Sequence, residues 1–172
     1  MKDDLYYQMV AKFYEGKFAK RSGVPYMNHI DEGMVLCDHL GYDLYVKRAF
    51  CLHPLFQADE ALAGIKQWER VADTIFVDEF DAYVMMLVME YRNKANGYLS
   101  NKDKKVEDIS LSPLEQVNQM LVVDKVQNRK DFEKYHFGSH PRSFQLNTYF
   151  HNWLQRLGIS EDKYQELKAL ID

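Results

Sequence analysis

Ala82-Tyr83-Val84-Met85-Met86-Leu87-Val88-Met89 is apolar on every side of a helical turn. A surface helix alternates apolar and polar faces with a 3.6-residue period, whereas a helix lacking a polar face belongs inside a bundle. A buried strand is the competing reading, and the helical pattern from Asp78 to Tyr98 is too long for one. Working outward, Leu5, Met9, Phe13 and Phe18 predict a helix from Asp3 to Phe18. Ile30, Met34, Cys37 and Leu40 share the face of a second helix, with Asn28 as N-cap and Gly41 at its end. Asp43 then caps a short helix carrying Val46, Phe50 and Leu52, and Pro54 stops it or begins the next. Residues Ala58 to Ala72 predict another helix, with Leu62 and Trp68 inward. Ser100 to Ser110 is a polar surface loop. Ser112 as N-cap, Pro113 and Glu115 form a capping box that opens a long helix through Leu121 to Phe132. Two further helices cover Arg142 to Leu157 and Ser160 to Ile171. The expectation is an all-α bundle of roughly eight helices. Leu36, Phe50, Leu62, Trp68, Leu87, Val88, Leu121 and Trp153 should lie in its core.

The 172 residues suit a single domain over 1–172, and 47 % hydrophobic content is enough to build its core. Only 8 Gly and 4 Pro argue against a turn-dense sandwich or barrel. A net charge of -4 gives no strong nucleic-acid signal. Cys37 and Cys51 sit in apolar helical stretches and read as free buried thiols. The start, Met1-Lys2-Asp3-Asp4, is acidic, and no run approaches the ~18 apolar residues of a membrane span. No membrane association and a cytoplasmic location are therefore expected.

Three separated segments carry the chemistry. Lys20-Arg21-Ser22-Gly23-Val24-Pro25-Tyr26-Met27-Asn28-His29 places two cations and a turn before a helix N-terminus, an arrangement that suits a phosphate. Ala49-Phe50-Cys51-Leu52-His53 ends an apolar run on a histidine that can face a polar pocket. Val123-Asp124-Lys125-Val126-Gln127-Asn128-Arg129 sets Asp124 and Asn128 one helical turn apart, on one face. Other features admit two readings. Arg92, within Glu90 to Asn96, belongs to a solvated helix end or to a pocket wall. His136 to Ser143 is a connecting turn or an anion- or partner-binding loop. Lys125, Arg129 and Lys130 form a basic stripe that Asp131 and Glu133 dilute. His39 and His151 need no special role. No Walker loop, Rossmann glycine pattern or serine elbow is present.

From Lys17 to Arg129 these segments, in this order and spacing, resemble the HD phosphohydrolase superfamily. Within it they are similar to the hydrolase domain of RelA/SpoT-type alarmone enzymes. The resemblance implies an HD-like helical fold, with His29, His53 and Asp124 as ligands of a divalent ion such as Mn, Fe or Zn. It places Lys20, Arg21 and Ser22 against the base and phosphates of a nucleotide, and Asn128 near its sugar. The chain departs from the family where Pro54 replaces the aspartate of the His-Asp pair, and where Gln57 and Ala58 replace a Glu-Asp pair. Asp59 and Glu60, just beyond, are the candidate catalytic replacements. The expected function is a metal-dependent, alarmone-like nucleotide phosphohydrolase with altered ligation. The alternative is an inactive nucleotide-binding pseudoenzyme or an interaction module. Fewer carboxylates should also leave the pocket more positive, with Lys20 and Arg21 at its mouth.

Overall fold

A computed structural model describes residues 1–20, 22–57, 81–99 and 105–172, with side chains described through 95 in the third of these segments. The architecture is all-helical. Seven α-helices lie among the described residues: α1 Leu5–Tyr14, α2 Met27–His39, α3 Leu44–Gln57, α4 Ala82–Leu99, α5 Glu115–Tyr135, α6 Ser143–Arg156 and α7 Glu161–Ala169. A 3-10 turn, Val106–Asp108, precedes α5. The helix predicted over 58–72 lies outside the described residues, and with it Leu62 and Trp68. Of the other predicted core residues, Leu36, Phe50, Leu87, Val88 and Leu121 are fully buried, and Trp153 nearly so. No described helix is long and apolar enough to cross a membrane.

The hub of the bundle is α5, which packs on α2, α3, α4, α6 and α7. The apolar sequence of α4 placed that helix at the centre. It does bury Val84, Leu87, Val88 and Tyr91 against α3 and α5, but Met86 and Met89 are exposed. The helix predicted to reach Phe18 ends at Tyr14, because Gly16 takes a φ of 68° and turns the chain out. Residues 17–26 then fold back on themselves. Ala19 N–H donates to Val24 O at 2.8 Å and Tyr26 N–H to Lys17 O at 3.1 Å, with an isolated bridge between Phe18 and Pro25.

Three local expectations are corrected. Asn28 is not a cap, since α2 starts at Met27 and the Asn28 amide donates to Glu32 at 2.8 Å. The capping box at Ser112 does not form. The Ser112 hydroxyl donates to Glu90 and accepts from Leu114 N–H, so α5 begins at Glu115. Pro54 does not stop α3, which continues to Gln57.

Gly33 sets the approach of α2 to α3. It is buried mid-helix, and a Cβ at this position would enter the ring of Phe50. The Phe50 ring lies against both His29 and His53, at centroid distances of 5.3 and 4.7 Å. A side chain as small as a methyl group would therefore push on the core beside those two histidines.

Candidate metal centre

His29 sits in the first turn of α2, His53 near the end of α3 and Asp124 in the middle of α5. Sequence separations of 24 and more residues collapse to a small triangle. The two Nε2 atoms are 3.2 Å apart, and each lies 3.7 Å from Asp124 Oδ1. A point equidistant from all three corners of that triangle lies about 2 Å from each, which is the bond length of zinc and similar ions to imidazole and carboxylate. Among the described residues this is the single cluster of three such groups close enough to share an ion.

The hydrogen bonds behind the rings decide which nitrogens face inward. His53 Nδ1–H donates to Phe50 O at 2.6 Å. In an ordinary helix that carbonyl would receive the N–H of residue 54, but proline has none. Pro54 thus leaves the Phe50 carbonyl to the His53 ring, and α3 runs on to Gln57. The Nδ1 of His29 meets Gln127 Oε1 at 2.6 Å. The Gln127 amide cannot be turned round, because its Nε2 donates to Glu32 Oε2 at 2.9 Å and to Asp131 Oδ2 at 2.8 Å. Both rings therefore carry their proton on Nδ1, and both Nε2 lone pairs point at each other and at a carboxylate oxygen. The two bare Nε2 atoms face each other with no hydrogen between them, beside a carboxylate oxygen that accepts from the Asn128 amide, and a cation relieves such an arrangement.

Asp124 is held on both oxygens. Asn128 donates to Oδ1 at 2.7 Å, and the buried Lys125 ammonium to Oδ2 at 2.8 Å. Burial works against ionisation here, yet Lys125, His53 and His29 together hold the carboxyl down to about 2. Lys125 in turn lies near the rings of Tyr149 and Trp153. Tyr91 packs its ring 4.7 Å from that of His53, and burial followed by the Asp124 charge raises its phenol above the ordinary range.

Burial, and then the charge of His29, push the His53 imidazole down to about 3. Above pH ~6.5 the ring is neutral whether the chain is folded or not, and its contribution to stability is complete. As pH falls from there toward 3, the unfolded chain takes a proton that the folded ring refuses. Chelator-treated protein should lose a few kcal/mol across this window. Denaturant titrations at a series of pH values would read the loss, and His53→Gln should flatten the slope.

The triad opens through His29 onto a cleft of about 270 Å³, whose lining includes Ser22, Tyr26, Pro54, Gln57 and Asn128. Of the predicted nucleotide-binding residues, Ser22 and Asn128 therefore reach the cleft. Lys20 is exposed on the same turn and does not line it. Arg21, Asp59 and Glu60 lie outside the described residues. The basic stripe does not exist as a surface. Lys125 is bound to Asp124. Arg129 is clamped by Glu161 and Glu133, and Lys130 by Glu32 and Asp131, all three with their side chains buried. Among the described residues the charged groups on the cleft wall are carboxylates, Asp124 and Asp131, so the expected positive mouth is not seen there. Arg92 lines neither this cleft nor the chamber beside it. Cys37 and Cys51 are buried and free, as expected, and burial pushes the Cys37 thiol up to about 12.

Sequence reading missed Gln127, Gly33, Tyr91 and Asp131. Gly33 alone carries a local signal, since a glycine inside a helical pattern implies a packing reason. Comparison of the chain with family models, with curated proteins and with solved structures finds no match.

Proposed function

We propose that the protein is a metal-dependent phosphohydrolase acting on a nucleotide, built on an HD-like His29–His53–Asp124 centre that lacks the family's second aspartate. The observation that carries this reading is the convergence of two bare imidazole Nε2 atoms, facing each other with no hydrogen between them, on one carboxylate oxygen of Asp124. A divalent ion held there supplies Lewis acidity toward a phosphoryl oxygen and an acidified water. Holding an ion with three protein ligands would leave it open to water and substrate, as a catalytic centre requires. Asn128 and Ser22 offer hydrogen bonds to the substrate from the cleft wall. Asp131, further along α5, is the remaining carboxylate lining the cleft among the described residues. In this reading it accepts a proton from the attacking water while the phosphoester bond breaks, and the departing oxygen takes its proton from water in the cleft.

A second reading is a nucleotide-binding pseudoenzyme. It is favoured by Gln57, which lines the cleft where the resembled family carries a carboxylate. Metal analysis after loading with Mn²⁺ or Zn²⁺, followed by binding and turnover of the same nucleotides, separates the two. One ion per chain, lost in His53→Ala, together with slow metal-dependent turnover is the expected result. An ion and a bound nucleotide without turnover would leave the pseudoenzyme. No ion at pH 7.5 would mean that the two rings share a proton instead, and the metal reading would fail.

A further inference from the structure

The metal cleft continues into a second chamber of about 420 Å³. The two share Ala19, Ser22, Gln57, Asp124, Asn128 and Asp131, so one ligand can occupy both. The far walls differ in kind. The second chamber is lined by Phe132, Tyr135, His136, Leu146, Tyr149 and Phe150. Phe132 and Phe150 are buried with ring centroids 5.5 Å apart, and Tyr149 stands edge-on to Phe150 at 5.1 Å. The turn that carries His136 and His140 closes the end, its Ser143 hydroxyl accepting from Gly138 N–H at 3.1 Å.

Charge limits what can lie across the two chambers. Among the described residues the ionic groups around the centre are Glu32, Asp124 and Asp131 against Lys125 and Lys130, and each ammonium is already paired. That set sums to one negative charge, and a divalent ion turns it to one positive. On the described residues, one phosphate monoester dianion leaves the site within one charge of neutrality, whereas a string of phosphates leaves it strongly negative. Among the described lining residues no ammonium or guanidinium is left over for a second phosphoryl group.

Building on the metal-centre reading, we infer that the aromatic chamber takes the planar base of a nucleoside carrying one phosphoryl group. The substrate class is then a nucleoside monophosphate and not a bis-diphosphate alarmone. The phosphate sits at the triad, the sugar crosses the shared wall at Asn128, and the base stacks among Tyr149, Tyr135 and His136.

The test is calorimetric binding to the Mn²⁺-loaded full chain of five probes: inorganic phosphate, ribose 5-phosphate, adenosine 5′-monophosphate, guanosine 5′-monophosphate and guanosine 3′,5′-bis(diphosphate). At least one monophosphate should bind roughly tenfold to a hundredfold more tightly than ribose 5-phosphate, the gain that ring stacking gives. Tyr149→Ala should erase that gain, Tyr149→Phe should keep it, and both should retain the metal. Equal binding of ribose 5-phosphate and both nucleotides would overturn the chamber assignment while leaving the centre intact. Tighter binding of the bis-diphosphate than of either monophosphate would overturn the charge argument. If no phosphate compound binds in a metal-dependent way, the centre itself is wrong and the inference falls with it.

Discussion

Asp124→Ala is expected to abolish metal binding and to destabilise the fold by about 3–5 kcal/mol. The two losses have different causes. The first follows from removing one of three ligand atoms. The second follows from Lys125, whose ammonium is bound to Asp124 Oδ2 at 2.8 Å with both side chains almost fully buried. Burial opposes the charge on Lys125, and Asp124 is the group that outweighs it, raising the ammonium above its ordinary range. Without the carboxylate a buried cation is left facing Tyr149 and Trp153 alone. A buried pair replaced as a whole by apolar groups costs far less than a broken one. Asp124→Ala combined with Lys125→Met should therefore recover most of the stability and none of the metal binding. Urea midpoints and metal stoichiometry on the same samples would check both. If the double variant were as unstable as the single one, the ion pair would not be the cause.

Gly33→Ala should cost about 2–3 kcal/mol, although alanine is the better helix former by about 1 kcal/mol. The methyl group would lie inside the Phe50 ring, which is fully buried and closed in by His29 and His53. Such a ring moves only by pushing the histidines, so metal affinity should fall along with stability. Phe50→Leu in the Gly33→Ala background should restore part of the loss, whereas alone it should destabilise. That sign change is what coupling between touching side chains predicts. Thermal melts of the four proteins in a double-mutant cycle measure it, and additive effects would refute it.

The helical class was legible because α1, α2, α3, α6 and α7 each present apolar residues at helical spacing. The centre of the bundle was not. Helix α5 buries Asp124, Lys125, Gln127, Arg129 and Lys130, residue types that read as solvent-facing. They are inside because each finds a partner on another helix or within its own. Arg129 meets Glu161 32 residues away, and Lys130 meets Glu32 98 residues away. Periodicity cannot see a partner at that distance, so α4, with its apolar middle, was put where the charge-rich α5 belongs. The triad His29, His53 and Asp124 was found through three short motifs read together, although none of them alone carried it. Gln127 was overlooked for the same reason as α5. Its importance lies in where its amide is pinned, and the pins are Glu32 and Asp131 on two different helices. Pro54 was read by rule as a helix end. The rule fails because the carbonyl it orphans has a side-chain donor one residue before the proline.

That substitution of donors also bears on how fast an ion can enter. A histidine that must exchange one ring proton for another, or flip, before it coordinates adds a step to capture. His53 needs neither. Its Nδ1 proton already rests on the Phe50 carbonyl, its ring is wedged between Phe50 and Tyr91, and its Nε2 is bare at neutral pH. Under the proposed function, uptake of an ion near pH 7 would therefore release no proton from this residue. The pace of loading would then fall to the shedding of water by the incoming ion and to its passage down the cleft past His29.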